Sequence, residues 1–384
     1  MRDVVVTGIG LHPFGRFPDK NFQELTYPTI KDALTDSGIP FKDIQMALCG
    51  VIDSGLYDSR DVIQQFGFSG VMVHSIVQAC SSGTAAFRIA YWAIAAGIYD
   101  TALIVGFEKM GSGMLKQTIE TGRSHLDVMG LDPYPVRAAL AIQKRMREYD
   151  EPIEAHAAYS VQCSENAALN HYAHFQKKRT IDEVLMSRMI SDPLRLYMCC
   201  PNSDGAAAIV MCSGEKAQKY GADRAVRVVA WACGAPQMHD MPGGPGAIIS
   251  AGFVGGNNQV RRLAAQVYDQ AGIGPEDVDV AEVHDPFTVS GMVAIESLGF
   301  CPDGEAGRFV MEGNTRIGGR IPVNPDGGLI CKGHPLGPSG LSKIIEVTKQ
   351  LRGDADSRQI PDNPRTGLIH CSGGEMTNMF VLAK

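Results

Sequence analysis

The chain has 384 residues, 45% of them hydrophobic and 20% charged, with a formal net charge of −7. That is the balance of a soluble globular protein, long enough for about two to three domains. No block of like charge supports nucleic-acid binding, and no apolar run reaches the roughly 18 residues of a membrane span. Ten cysteines without a Cys-x-x-Cys pair argue against a disulfide framework and a zinc ribbon. The N-terminus has no signal-peptide architecture and the C-terminal VLAK matches no common receptor-read address, so a reducing, cytoplasmic setting is expected.

Val4 to Gly10 reads as a short apolar strand closed by glycine. Residues 21–37 place Phe22, Leu25, Ile30 and Leu34 among polar positions, which predicts an amphipathic helix despite Pro28. A strand over Met46–Val51, another over 75–80, a helix over 84–97 and a buried strand over Thr101–Phe107 follow. Strands alternating with helices predict βαβ units and a largely parallel sheet. From about 110 to 195 the strand pattern stops, while methionines and basic residues such as Lys144, Arg145, Lys177, Lys178 and Arg179 accumulate. Solvated helix faces are the plain reading, and a lid with a basic patch facing an anionic ligand is the sharper one. Met114, Met129, Met146, Met186 and Met189 fit lid or core filler, or an adaptable pocket lining.

The second half repeats the first. Ser37-Gly38-Ile39-Pro40 aligns with Ala271-Gly272-Ile273-Gly274, each between a helix and a strand, and Thr101-Ala102-Leu103-Ile104 aligns with Thr366-Gly367-Leu368-Ile369. Between these pairs, Cys80-Ser81-Ser82-Gly83 corresponds to His334-Pro335-Leu336-Gly337, each before a helix. An internal α/β duplication would set these two loops face to face across a pseudo-two-fold axis.

Cys80 ends a β-branched run and is expected on the first turn of a helix, where free N–H groups and the helix dipole favour a thiolate. A buried inert thiol is the alternative. His334, flanked by glycines, is the base such a cysteine needs. Cys371, at a strand end before glycines, can be an acid/base or inert. His284 can hold a water, donate to an oxyanion, or make a structural hydrogen bond. The remaining cysteines, Cys199 and Cys200 among them, read as packing.

Together, the Cys80 stretch, Asp204-Gly205-Ala206-Ala207-Ala208, His284-Asp285-Pro286-Phe287, Gly333-His334-Pro335-Leu336-Gly337 and Cys371-Ser372-Gly373 resemble the thiolase family, over nearly the whole chain and in the right order. The resemblance implies an α/β thiolase fold: two duplicated halves in a five-layered αβαβα arrangement with an inserted loop domain. The expected division is 1–110 with 196–222, an insertion at 111–195, and 223–384. It implies acyltransfer through 3-oxoacyl-coenzyme A, with coenzyme A as co-substrate and no permanently bound cofactor or metal. Cys80 would accept the acyl group, His334 would activate it, and Cys371 would move the α-carbon proton. The Cys80 and Gly373 amides would form one oxyanion hole, and His334 with a water near His284 the other. The His-Asp-x-Phe version resembles the sterol-carrier-protein type and archaeal thiolases, although Pro286 stands where those often have a catalytic cysteine. That subtype implies a small zinc-ribbon/OB-fold partner protein, alongside a homodimeric core. Thiolytic cleavage of a branched or aromatic 3-oxoacyl-coenzyme A leads. Biosynthetic Claisen condensation is the runner-up, and a non-catalytic acyl-coenzyme A scaffold the third reading.

Overall fold

A computed structural model describes residues 2–52, 58–111, 133–237, 240, 258–373 and 376–384. In chain order the elements begin with β1 (Val4–Leu11), α1 (Phe22–Ser37), β2 (Met46–Gly50), α2 (Asp58–Gln64), β3 (Met72–Ile76), α3 (Ser82–Ala95) and β4 (Thr101–Glu108). Next come α4 (Tyr134–Glu148), α5 (Ile153–Ala167), α6 (Ile181–Leu185), the short β5 (Met189–Ser191) and β6 (Leu194–Arg195), β7 (Gly205–Ser213) and α7 (Gly214–Lys219). The chain continues through β8 (Val226–Gly234), α8 (Asn258–Ala271), β9 (Val280–Glu282), α9 (Thr288–Ser297) and α10 (Ala306–Met311). It closes with α11 (Leu336–Arg352), β10 (Thr366–Gly373) and β11 (Met376–Ala383).

Helix α1 forms as the sequence predicts. Asn21 and Glu24 make a reciprocal capping box, and Gly38 ends the helix at φ 66°. β4 and β7 are buried along their whole length, which explains their unbroken apolar runs.

The strand order is β3-β2-β4-β7-β1-β8-β11-β10-β9. The duplication is visible in it. β1, β2, β4 and β7 correspond to β8, β9, β10 and β11, and each set has the same directions. β2 runs parallel to β4 as β9 does to β10, while β7 and β11 return antiparallel. Ala281 of β9 bridges Val323 in parallel, where β2 pairs with β3. The two halves join through a short antiparallel contact between β1 and β8.

The expectation of a largely parallel sheet is therefore corrected. Among the named strands, parallel pairing is found in β3-β2-β4 and β10-β9, within the βαβ passage of each half. The hairpin into β11 and the long excursion into β7 bring those strands back antiparallel.

α3 and α11 form a central helical layer packed on strands of both halves, with Phe87 and Phe380 edge to face at 5.0 Å. α1 covers the far side of the first half. α8 and α9 cover that of the second, completing five layers. No helix among the described residues is long and apolar enough to cross a membrane.

α4 and α5 lie over the second half. Arg145, expected on a solvated face or facing a ligand, is instead fully buried, with bonds to Glu151 at 2.7 and 2.8 Å and to Glu296 at 2.6 and 2.8 Å. This buried fork pins α4 to α9. Burial disfavours the Glu151 carboxylate, but bonds from Arg145 and His156 overcome that and hold it down at about 2. Met114 and Met129 lie outside the described residues; Met186 is 84% exposed and Met189 40%, so neither is core filler.

The N-termini of α3 and α11 meet backbone to backbone. A Cβ on Gly83 would lie 2.4 Å from the Gly337 carbonyl oxygen, and one on Gly337 would lie 2.3 Å from that of Gly50. Gly337→Ala should therefore destabilise the protein by about 3 kcal/mol or more, because no flexible side chain can yield. Chemical denaturation of the variant against wild type checks this; an unchanged midpoint would contradict the packing argument.

Candidate active site

Cys80 lies in a tight turn one residue before Ser81, the cap of α3, and so just outside the helix rather than on its first turn. Ala79 takes φ 45°, a left-handed conformation that costs a non-glycine residue roughly 1–2 kcal/mol. Two hydroxyls hold the turn: Ser81 Oγ donates to the Gln78 carbonyl at 2.9 Å, and Ser82 Oγ to that of Ala79 at 2.7 Å. Ser82 Oγ also accepts from the Gln78 amide at 2.8 Å. Gly373 packs on the far side, so close that a Cβ there would come within 2.6 Å of the Cys80 amide nitrogen. The predicted pair of amide donors, Cys80 and Gly373, is thus adjacent.

The sulfur of Cys80 and one ring nitrogen each of His284 and His334 all lie within 4.8 Å of one another. The two imidazoles are edge to face, with centroids 5.5 Å apart. Cys371 completes the cluster, its Sγ 3.9 Å from His284 Nδ1 and 3.6 Å from the Cys80 carbonyl oxygen. All four side chains singled out in the sequence converge.

Burial sets their resting protonation. It pushes the Cys80 thiol up to about 12, with the neighbouring Cys371 and Glu108 adding to the rise. The thiolate-favouring setting read from the sequence is thus overridden, since desolvation outweighs the helix terminus. Burial, reinforced by Lys343 and Lys332, pushes His334 down to about 3. Burial and the flanking His334 and Lys343 also hold His284 well below the usual imidazole range. At neutral pH the resting pair is therefore a thiol and a neutral imidazole.

The tautomer of His334 follows from its partner. Ser339 Oγ donates its only hydrogen to the Pro335 carbonyl at 2.5 Å, so toward His334 Nδ1, at 2.9 Å, it can only accept. Nδ1 therefore carries the proton and Nε2 the lone pair. Nε2 is buried without a hydrogen-bond partner and is free to take a proton from Cys80.

A platform of buried charge lies beneath. Lys343, fully buried on α11, donates to the Val283 carbonyl at 2.6 Å and sits 3.4 Å from Glu282 and 4.0 Å from Asp285. Lys332 pairs with Asp326. Asp285 accepts from the Leu329 amide at 2.8 Å and from the Tyr159 hydroxyl at 3.2 Å. Burial nevertheless raises its carboxyl to about 6, against the opposing pull of Lys343. Glu108 crosses from the first half and accepts from the Gly337 amide at 3.1 Å, at the start of α11. His370 accepts the His284 amide at Nδ1, 3.4 Å away, and contacts Ser372 Oγ through Nε2 at 3.1 Å.

Sequence reasoning missed several of these. Lys343 and Glu282 left a partial signal, each being a charge beside apolar residues on a segment that ends at the site. Ser339 and Glu108 left none. Cys200, read as packing, donates its amide to the Pro286 carbonyl at 2.9 Å and is near enough to Cys80 for that thiol to influence its titration. That bond and the pairing of Cys199 with Phe287 bring it there.

Ser339→Ala should free both His334 tautomers and slow modification of Cys80 by about tenfold, while costing only about 1 kcal/mol of stability. Ser339→Thr should restore the rate. Alkylation kinetics on the isolated variants check this; a rate equal to wild type in the alanine variant would break the tautomer argument.

Residues 4–215 match the family description "Thiolase, N-terminal domain", and residues 254–383 match "Thiolase C-terminal domain-like". The acetyl-CoA acetyltransferase of Methanothermobacter thermautotrophicus is 34% identical over 389 residues, covering 97% of each chain. The benzoylsuccinyl-CoA thiolase subunit BbsB of Thauera aromatica is 32% identical over 376 residues, covering 97% of this chain and 95% of that one. Among solved structures, the Ltp2-ChsH2(DUF35) aldolase superposes with a TM-score of 0.83 at 24% identity, covering 99% of this chain and 97% of that chain, a likeness of fold. With both halves matched and a curated relative aligned almost end to end, this chain belongs to the thiolase family of acyltransferases.

Proposed function

We propose that the chain cleaves a 3-oxoacyl-coenzyme A by thiolysis through an acyl-enzyme on Cys80. The observation that carries this reading is the convergence of Cys80, His284 and His334 within 4.8 Å, with the His334 Nε2 lone pair unclaimed.

In this reading, His334 Nε2 takes the Cys80 proton as Sγ attacks the 3-oxo carbon. Because the resting proton is held firmly on sulfur, transfer is concerted with carbon–sulfur bond formation. The oxyanion forms against the Cys80 and Gly373 amides. Collapse breaks the bond between C2 and C3, and Cys371 delivers a proton to C2 of the departing acyl-coenzyme A. The enolate oxygen of that leaving group is met by His334 and a water held near His284. Free coenzyme A then gives its thiol proton to the Cys371 thiolate and attacks the Cys80 thioester; Cys80 leaves as a thiolate, recovers its proton from His334, and the shortened acyl-coenzyme A departs.

Coenzyme A is thus a co-substrate. Cleavage is favoured over condensation here, and an aromatic or branched acyl group is the proposed substrate class. Support comes from the likeness to a subunit named for benzoylsuccinyl-CoA. The likeness to an archaeal acetyl-CoA acetyltransferase favours condensation as the second reading. Residues 111–195 are assigned as the inserted domain between 1–110 and 196–222, with 223–384 as the second half.

Mass spectrometry of the intact protein after mixing with aliphatic and aromatic acyl-coenzyme A donors tests the chemistry. The expected adduct equals the acyl mass, is absent in Cys80→Ala, and disappears on adding coenzyme A. Folded protein that never acylates would sink the reading and move the scaffold alternative forward.

The proposed assembly is a homodimer with a small partner protein of zinc-ribbon and OB-fold type. Among the described residues, edge strand β3 is paired on one side only, and around it Phe68, Met72 and Val77 are 87%, 56% and 67% exposed, which suits pairing with a second copy. Support for the partner is the His284-Asp285-Pro286-Phe287 motif and a structural neighbour named as a complex with a DUF35 protein. Sedimentation should give a dimer for the chain alone. Steady-state thiolysis should require the partner, and full turnover by the isolated chain would refute that requirement.

A further inference from the structure

We propose that Cys80, His284 and His334 form a zinc site, so that Zn2+ reversibly blocks the nucleophile together with its base.

The donor set is one sulfur and two imidazole nitrogens, all within 4.8 Å of one another. Zinc bound tetrahedrally, at about 2.3 Å to sulfur and 2.0–2.1 Å to nitrogen, sets such donors roughly 3.3–3.6 Å apart. Small side-chain rotations close that difference. Thiolate and imidazole select zinc over magnesium or calcium, which demand oxygen.

An independent observation points the same way. His334 is 2% exposed, and its Nε2 has no hydrogen-bond partner. Its other nitrogen is fixed by Ser339 at 2.9 Å, the outer contact by which metal-bound histidines are normally oriented. A buried lone pair aimed at a neighbouring thiol and a second imidazole is a ligand position as much as a base. The buried ammoniums of Lys343 and Lys332 disfavour added positive charge at His334, and what offsets them is the negative charge of the Cys80 thiolate on the ion together with the ion pair of Lys332 with Asp326.

Binding is a ligand exchange without redox change. The Cys80 thiol loses its proton to solvent, the thiolate and both imidazole lone pairs bind Zn2+, and water fills the remaining position. Loaded this way, Cys80 cannot attack a thioester and His334 cannot accept a proton.

The experiment uses the full chain freed of metal, titrated with Co2+ as a spectroscopic stand-in for Zn2+. A near-ultraviolet sulfur-to-cobalt charge-transfer band is expected, together with visible bands of tetrahedral strength, and Zn2+ should displace both. The charge-transfer band should vanish in Cys80→Ser, and affinity should drop at least tenfold in His284→Asn. Independently, Zn2+ should slow iodoacetamide alkylation of Cys80 at least tenfold, reversed by chelator. Absence of the band with unchanged alkylation overturns the proposal. So does a band that persists in Cys80→Ser, since another thiol would then be the ligand. Acyl loading of metal-free protein is measured in parallel, so loss of the zinc site and loss of the thiolase reading are distinguishable.

Discussion

Everything at the active site depends on two helices touching without side chains between them. α3 and α11 belong to different halves, and their N-termini cross where Gly50, Gly83 and Gly337 leave only backbone. Any Cβ there would force the helices apart. The residues just ahead of those termini are Cys80 and His334. The distance between Cys80 and His334 is thus set by a glycine contact, with no direct bond between the two side chains required. Glu108 reinforces the crossing by reaching from β4 to the first amides of α11.

The second constraint is burial. Burial around the site favours the uncharged forms of its groups, raising thiols and lowering imidazoles. The fold compensates with fixed charges one shell away. Lys343 stabilises negative charge developing on Cys371, for which its electrostatic effect opposes that of burial. The same ammonium keeps the histidines neutral and therefore basic in form. Glu282 and Asp285 make the buried ammonium tolerable, and removing one member would strand the others. The Cys80–His284–His334–Cys371 cluster and the charge platform are one electrostatic unit.

Duplication explains why this unit exists. Each half contributes a strand–turn–helix passage to the centre, and the sheets hold the two passages in register. At the turn the copies differ in side chains: Cys80-Ser81-Ser82 in one, His334-Pro335-Leu336 in the other. The small serines of the first tie a strained backbone at Ala79. In the second, Ser339 sits one helical turn on and locks an imidazole.

The sequence by itself determined the main element types, the duplication and the four side chains that converge at the candidate site, because apolar periodicity, glycine placement and strand-to-helix junctions are local signals. α1 and the continuous apolar strand β4 were legible in this way. The tertiary structure alone decided strand direction for β7 and β11, the burial of Arg145, the placement of Cys200 beside the site, and the protonation of Cys80. These depend on residues far apart in the chain: Arg145 on Glu296, Cys200 on Pro286, His334 on the fold that desolvates it. Local sequence carries no record of such neighbours, and desolvation, which fixes the chemistry here, is a property of the closed fold.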